Sequence, residues 1–384
     1  MADFSRYGAL TAEIEPPFAV VDLGAFRRNA DDLVRRAAGT PIRVASKSVR
    51  CRALIAETLG RPGFRGVMSY ALPEALWLAR NGVDDILMGY PTVHREALRS
   101  LAGDAEAARR ITLMVDDVEQ LALIKAVTGG GERIRVCLDV DASLRIFGQH
   151  LGVRRSPLRT PDQVQSVARK IAADDAFELV GVMFYEAQIA GLPDTSPAVR
   201  WVKRRSAAEL ADRRGAVVDA VKQVAALTLV NSGGSGSIEV SSADPTVTEV
   251  TAGSGLYGPT LFDRYDVFRA EPAVAYALGV VRRPATGIAT LFGGGYVASG
   301  PAKKSRLPSP TWPTGLRLLG TEGAGEVQTP VQGEAARGLK IGDRVWMRYA
   351  KAGEMCERFD VLHAIDGNQL SQLPTYRGEG KNFG

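Results

Sequence analysis

The chain has 384 residues, 45% of them hydrophobic and 24% charged, with a formal net charge of +5. That length allows two domains, or one large barrel with an appendage, and the composition is ordinary for a soluble globular protein. The small basic excess suits anionic small molecules. Without Lys/Arg runs interleaved with aromatics it excludes nucleic acid as the expected partner, and no apolar run approaches the ~20 residues that span a membrane.

In chain order, the amino terminus MADFSRYGALTAEIEPP carries early acids and no apolar core of signal-peptide length. Phe18 to Asp22 reads as a strand and Leu23 to Ala38 as a helix. The next stretch, Pro41 to Arg52 (PIRVASKSVRCR), is a short strand ending at Ser46, Lys47 and Ser48, followed by a helix from Cys51 to Leu59. A lysine at the carboxyl end of a barrel strand stands where barrel chemistry is done, and a partly neutral amine there forms a Schiff base with an aldehyde. A solvated surface lysine is the plain alternative.

Strands and helices then alternate. Strands are expected at Gly66 to Met68, Asp85 to Met88, Ile111 to Val115, Ile134 to Val140, Phe177 to Phe184, Leu227 to Val230 and Val247 to Val250. Helices are expected at Ala71 to Asn81, Val118 to Val127, Pro161 to Ala173 and Arg204 to Val224. The pattern predicts parallel βαβ units closing into an eight-stranded barrel with one strand used elsewhere. An open doubly wound sheet is the runner-up, but no GxGxxG turn opens the first unit. From about Asp266 helical periodicity ends. Ala273 to Arg282, Gly287 to Phe292, Arg317 to Leu319, Gly325 to Thr329, Arg344 to Tyr349 and Phe359 to Ile365 read as strands of an all-β domain, with an irregular tail from Gln372. The expected division is an amino-terminal segment over residues 1–17, a (β/α)8 barrel over 18–265 and a β domain over 266–384.

Several strand ends carry chemistry. Val230 to Ser237 (VNSGGSGS) and Thr251 to Gly255 (TAGSG) are small-residue turns whose backbone N–H groups can cradle a phosphate. Flexible loops are the alternative. Asp139, Asp141 and Arg145 end one strand, and Tyr185, Glu186 and Gln188 end another. The run Val202 to Arg205 with Arg213 and Arg214 reads as a solvated helix face. Cys51, Cys137 and Cys356 form no CxxC pair, and His94, His150 and His363 show no metal-type spacing. A reduced, cytoplasmic setting fits.

The segments PIRVASKSVRC, DVDASLR, GVMFYEAQIAG, VNSGGSGS, TEVTAGSGLYGP, GDRVWMRYAKAGEMCERF and PTYRGEGKNFG, in this order, resemble the fold-type III pyridoxal phosphate (PLP) enzymes. Within that group, which includes alanine racemase, D-threonine aldolase and eukaryotic-type D-serine dehydratase, they are most similar to the amino acid deaminase/aldolase proteins. The resemblance implies PLP held by Lys47 as the Schiff-base lysine. It implies Arg145 near the ring's phenolic oxygen, Tyr185 near ring or substrate, and a phosphate cradle of Ser235, Gly236, Gly253 and Ser254, to which the turn itself adds the hydroxyls of Ser232 and Ser237. It places the first strand outside the barrel and implies a homodimer. The implied activity is aldol cleavage, aldol addition or β-elimination on β-hydroxy, D-configured amino acids. An amino acid racemase, a PLP-binding protein without turnover and a sugar-phosphate barrel are the alternatives.

One departure stands out. The aldolases and dehydratases carry a histidine with an Asp or Cys two residues later as a metal pair, and here Tyr349 and Lys351 occupy that region. The expectation is therefore no metal ligand and no divalent-metal requirement, with Tyr349 and Lys351 as acid–base groups. A site built from Glu354, Cys356 and His363 is the competing view.

Overall fold

The computed structural model describes residues 2–301 and 303–384. Its strands are β1 (Phe18–Asp22), β2 (Ile42–Ala45), β3 (Phe64–Ser69), β4 (Ile86–Met88), β5 (Ile111–Val115), β6 (Ile134–Val140), β7 (Leu144–Ile146), β8 (Gln149–Leu151), β9 (Phe177–Phe184), β10 (Leu229–Ser232) and β11 (Glu249–Ala252). Then follow β12 (Val274–Ala285), β13 (Ile288–Phe292), β14 (Ser309–Trp312), β15 (Arg317–Leu318), β16 (Gln328–Gln332), β17 (Arg344–Arg348), β18 (Val361–Asp366) and β19 (Gln369–Pro374). Two compact units result. One gathers the residues up to Asp32, Ser48–Ala56 and Gly253–Asn382, the other Leu33–Lys47, Glu57–Ala252 and Phe383–Gly384.

The second of these units is a closed barrel of eight strands in the order β2-β3-β4-β5-β6-β9-β10-β11, every neighbouring pair parallel. The expected barrel forms, and the open-sheet alternative falls. Strands β2, β4, β5, β10 and β11 are buried at every residue. Parallel strands covered on both faces read as largely apolar runs, as in β4 and β5, while β2, β10 and β11 also bury Arg43, Asn231 and Glu249. Leu87, Met114, Cys137, Val180, Met183 and Leu229, from five different strands, pack into one buried cluster with Met68 against it.

The first and last barrel strands meet at a buried ion cluster. β11 pairs with β2 through Val250–Ile42, Thr251–Arg43 and Ala252–Val44. Arg43, 1% exposed, donates to both Glu249 oxygens at 2.7 and 2.8 Å and to both Asp85 oxygens at 3.0 Å. Burial opposes the Arg43 charge, but Glu249 and Asp85 outweigh it and hold the guanidinium protonated. Asn231 donates to Glu249 at 2.7 Å, bringing β10 into the same cluster. Gly66, at φ +68°, makes room for it: a Cβ there would stand 2.5 Å from an Arg43 guanidinium nitrogen.

The other unit is built on a nine-stranded sheet whose main path runs β15-β16-β13-β12-β1-β18-β19, with β17 paired to β12 and β14 paired to β17. β1 lies in this sheet, antiparallel to β12 and parallel to β18. Phe4 and Tyr7, from a helix over Phe4–Leu10, pack with Phe18, Val20, Ala275, Ala277, Trp346 and Ile365. His363 packs edge-on against Phe18 in this unit, with ring centroids 5.7 Å apart. Among the described residues no helix is long and apolar enough to cross a membrane.

Four expectations need correction. The tail from Gln372 is not wholly irregular, because Gln372 to Pro374 complete β19 against β18. No strand was expected over residues 144–151, which form the β7–β8 hairpin. The long helix begins at Pro197, capped by Ser196, well before Arg204. Arg214 does not join a solvated face: it is 3% exposed, pairs with Asp244 and donates to Ser232 at 3.0 Å.

Replacing Arg43 by methionine leaves Glu249 buried with its main cation gone. Arg43→Met is expected to cost about 3–5 kcal/mol of stability, seen as a lowered denaturation midpoint in chemical unfolding.

Candidate active site

β2 ends at Ala45, and a single 3-10 turn over Ser46–Ser48 carries Lys47 out of the strand. Ser46 Oγ donates to the Met68 carbonyl at 3.0 Å, tying the turn to β3. Lys47 Nζ donates to the Tyr90 hydroxyl at 2.8 Å and lies 5.5 Å from the ring centroid. Tyr90 follows β4 by two residues, and Tyr185 directly follows β9. Arg155 joins them. Its guanidinium carbon lies 5.3 Å from the Tyr90 ring centroid and 4.9 Å from that of Tyr185. The carboxyl ends of three barrel strands and one loop thus place Lys47, Tyr90, Tyr185 and Arg155 together.

The same cations act differently on the two phenols. Burial pushes Tyr90 up, but the Lys47 charge and hydrogen bond, with Arg155, outweigh it and leave the phenol below its ordinary range. Burial of Tyr185 is offset only partly by Lys47 and Arg155, so that phenol is raised and stays protonated at neutral pH. Asp139, near the end of β6 and 5% exposed, is pushed up to about 7 by burial and then by Asp116 and Asp141, against the pull of Arg155.

The glycine turn after β10 is held from behind. Glu186, fully buried, accepts from Ser237 Oγ at 2.7 Å, Ser241 Oγ at 2.5 Å and the Gly233 amide at 3.2 Å. Ser232 Oγ lies 2.9 Å from both the Phe184 carbonyl and Glu186 Oε2. The hydroxyls of Ser232 and Ser237, expected to face an anion, are therefore engaged in the wall. Arg36 donates to the Ser235 carbonyl at 2.8 Å and pairs with Glu239 at 2.5 Å. A Cβ on Gly234 would stand 2.9 Å from the Ala190 Cβ and 3.6 Å from the Tyr185 ring, so the turn packs against that tyrosine. Gly236 is buried, and among the described residues nothing accepts its N–H. An unpaired buried amide in a glycine turn beside Tyr185 fits a phosphate, and the Lys47 amine fits an aldehyde. The residues of the barrel thus suit PLP.

The remaining expected residues lie as follows. Arg145, in β7, pairs with Asp141 at 2.8 Å. Bonds from Ser143, with Arg145 and Arg159, outweigh burial and hold Asp141 below the usual carboxylate range. Gly253 and Ser254 open a short helix after β11, and Ser254 Oγ lies 3.1 Å from Ser48 Oγ. Gly253, Ser254, Tyr349 and Lys351 belong to the sheet-bearing unit. Tyr349 and Lys351 line a small cavity there with Tyr257 and Met355, and Lys351 Nζ is 3.3 Å from Ser299 Oγ. Burial, and then Glu354, raise the Tyr349 phenol. Glu354 accepts from the Ser299 amide, Cys356 donates to the Val49 carbonyl at 3.4 Å, and His363 sits in β18. Among the described residues no three His, Cys, Asp or Glu side chains gather as a metal site.

Sequence reasoning missed Tyr90 and Arg155. Tyr90 had a usable signal, standing two residues past a predicted strand as Lys47 does. Arg155 had none, since it comes from a loop without periodicity.

Asp139 gives a pH test. An unfolded aspartate titrates near about 4. A folded value of about 7 contributes stability that is complete below that range and lost as pH rises through 7. Asp139→Asn removes the dependence, so wild-type Tm is expected to fall relative to the variant between about pH 4 and about pH 7, read by thermal unfolding.

From residue 21 to residue 260 the chain matches the family described as alanine racemase, N-terminal domain. It is similar to the 3-hydroxy-D-aspartate aldolase of Paracoccus denitrificans (strain Pd 1222), 26% identical over 268 residues that make up 66% of this chain and 65% of that protein. The match thus spans just under two thirds of that relative's length. Among solved structures, D-threonine aldolase from Filomicrobium marinum superposes with a TM-score of 0.80 at 21% identity, covering 96% of each chain. D-threo-3-hydroxyaspartate dehydratase from Delftia sp. HT23 gives 0.73 at 20% identity, over 95% of this chain and 98% of that one. At these identities the structural likeness establishes the fold. With the family match covering the whole barrel, the chain belongs to the alanine racemase N-terminal domain family.

Proposed function

We propose that this protein is a PLP-dependent lyase acting on β-hydroxy amino acids of D configuration, by aldol cleavage, aldol addition or β-elimination. The observation that carries the reading is Lys47 Nζ at a barrel-strand end, 2.8 Å from the Tyr90 hydroxyl and flanked by Tyr185 and Arg155. The names of the relatives support the reaction class. PLP, when bound, supplies an electron sink for charge developing at Cα.

Lys47 would hold the cofactor's aldehyde carbon and take or return a proton at Nζ. Tyr90 orients that nitrogen through its hydroxyl. Tyr185, a neutral phenol, is a donor beside the ring position. The Ser235–Gly236 backbone would hold the phosphate, with Gly253 and Ser254 as proposed partners. Arg145 keeps its proposed place near the phenolic oxygen, and Arg155, stacked on the Tyr90 and Tyr185 rings, is a second cation beside Lys47. We further propose a cytoplasmic homodimer that needs no divalent metal, with Tyr349 and Lys351 as acid–base groups.

Two measurements test this. Purified protein is incubated with D- and L-β-hydroxy amino acids, and products are scored as aldehyde plus glycine, oxo acid plus ammonia, or opposite enantiomer. Lyase products from the D-series are expected, and Lys47→Ala is expected to lose turnover, visible absorbance and borohydride fixation of the cofactor together. Racemised substrate as the sole product would refute the reading.

Activity is also expected to survive EDTA. Loss on chelation with recovery on Mn²⁺ or Zn²⁺ would overturn the metal-free proposal. If activity persists, Tyr349→Phe or Lys351→Met lowers kcat more than it raises KM.

A further inference from the structure

Arg35 and Arg36 lie in the last turn of the helix over Leu23–Ala37. A cation at a helix carboxyl end meets the dipole equally well from solvent, and Arg35 does so, being exposed. Arg36 instead turns inward, its side chain 1% exposed. Its Nε and Nη2 donate to the two Glu239 oxygens at 2.5 and 2.8 Å, and Nη2 also donates to the Ser235 carbonyl at 2.8 Å. The Glu239 side chain is 37% exposed, so an arginine at the surface could meet it. What burial gives Arg36 is the Ser235 carbonyl.

That carbonyl belongs to the peptide unit whose nitrogen is Gly236. The unit is trans and planar, so its C=O and N–H point in opposite directions. Holding the oxygen toward Arg36 therefore turns the Gly236 N–H away from Arg36. Gly236 is buried, and among the described residues its N–H has no acceptor. The neighbouring amides are already committed: Gly233 to Glu186 at 3.2 Å, Gly234 to Ser237 Oγ at 3.0 Å and Ser237 to the Gly234 carbonyl at 2.9 Å. The Ser237 hydroxyl is committed to Glu186 as well. Proteins rarely bury an amide without an acceptor, so the direction Arg36 imposes is the direction of a ligand. A charged donor on the oxygen also draws electron density from the nitrogen, which makes the N–H a stronger donor to an anion.

We propose that Arg36 is the positioning residue of the phosphate turn: through the Ser235 carbonyl it aims and polarises the Gly236 amide for the phosphate of the cofactor. The inference rests on the PLP reading above and gives Arg36 no contact with the phosphate itself.

A purely structural arginine and a phosphate-positioning one differ in what their loss does to pyridoxal, which carries the aldehyde of PLP without the phosphate. Affinities of the full chain, freed of cofactor, are read for both compounds by absorbance titration in wild type and in Arg36→Met. The dissociation constant for PLP is expected to rise at least about tenfold in the variant, and that for pyridoxal by less than about twofold. Arg36→Lys keeps a cation beside Glu239 but replaces the planar fork by a point charge, and serves if Arg36→Met does not fold. Its PLP affinity is expected to fall about threefold, again with pyridoxal unchanged. Equal losses for the two compounds, or no loss for either, overturn the proposal. So does a wild type that binds both equally well, since the turn then holds no phosphate. If the loss is selective but no β-hydroxy amino acid is converted, the role of Arg36 stands and the reaction assignment falls. If PLP reacts with Lys47 yet the loss is not selective, the cofactor reading stands and this inference falls. A wild type that binds neither compound ends both.

Discussion

The barrel depends on how its two ends are joined. A sheet that closes on itself must bring its first and last strands into one register, and here that seam is marked by Arg43 between Glu249 and Asp85. Such a buried cluster gains little net stability, because desolvation offsets most of the attraction. Its effect is on specificity: a slip of one residue would turn Arg43 out of the barrel and strand Glu249 without its cation. Lys47 follows Arg43 on the same strand and turn, so the register that satisfies the ions also aims the reactive amine.

Much of this architecture was legible in the sequence, and the reasons are local. Several barrel strands, β4, β5 and β9 among them, are largely apolar runs because both faces are covered, whereas β2, β10 and β11 also carry Arg43, Asn231 and Glu249. β7 and β8 were not legible, since Leu-Arg-Ile-Phe-Gly-Gln-His offers neither alternation nor an apolar run. β19 was hidden for a related reason: most of it is exposed and polar. At the site, Lys47 and Tyr185 could be found by position at strand ends. The engagement of Ser232 and Ser237 could not, because it depends on a carboxylate that arrives from β9, about fifty residues earlier in the chain.

Tyr90 and Tyr185 show how one environment produces two different groups. Both are pressed against Arg155 and both feel Lys47, yet only Tyr90 receives a hydrogen bond from the amine. That contact leaves one phenol easier to ionise and the other harder. Pairs of titratable groups driven apart in this way are a physical signature of divided acid and base duties.

Glu186 has a consequence for how the turn after β10 varies among related sequences. Ser237 and Ser241 answer to the carboxylate behind them, while the buried Gly236 amide has no acceptor among the described residues. The serines that look like ligands in the motif are thus tied to position 186, and a lineage that loses the acid loses the reason to keep those hydroxyls. Covariation of Glu186 with Ser237 and Ser241, and not invariance of the serines alone, is the evolutionary trace that this arrangement leaves.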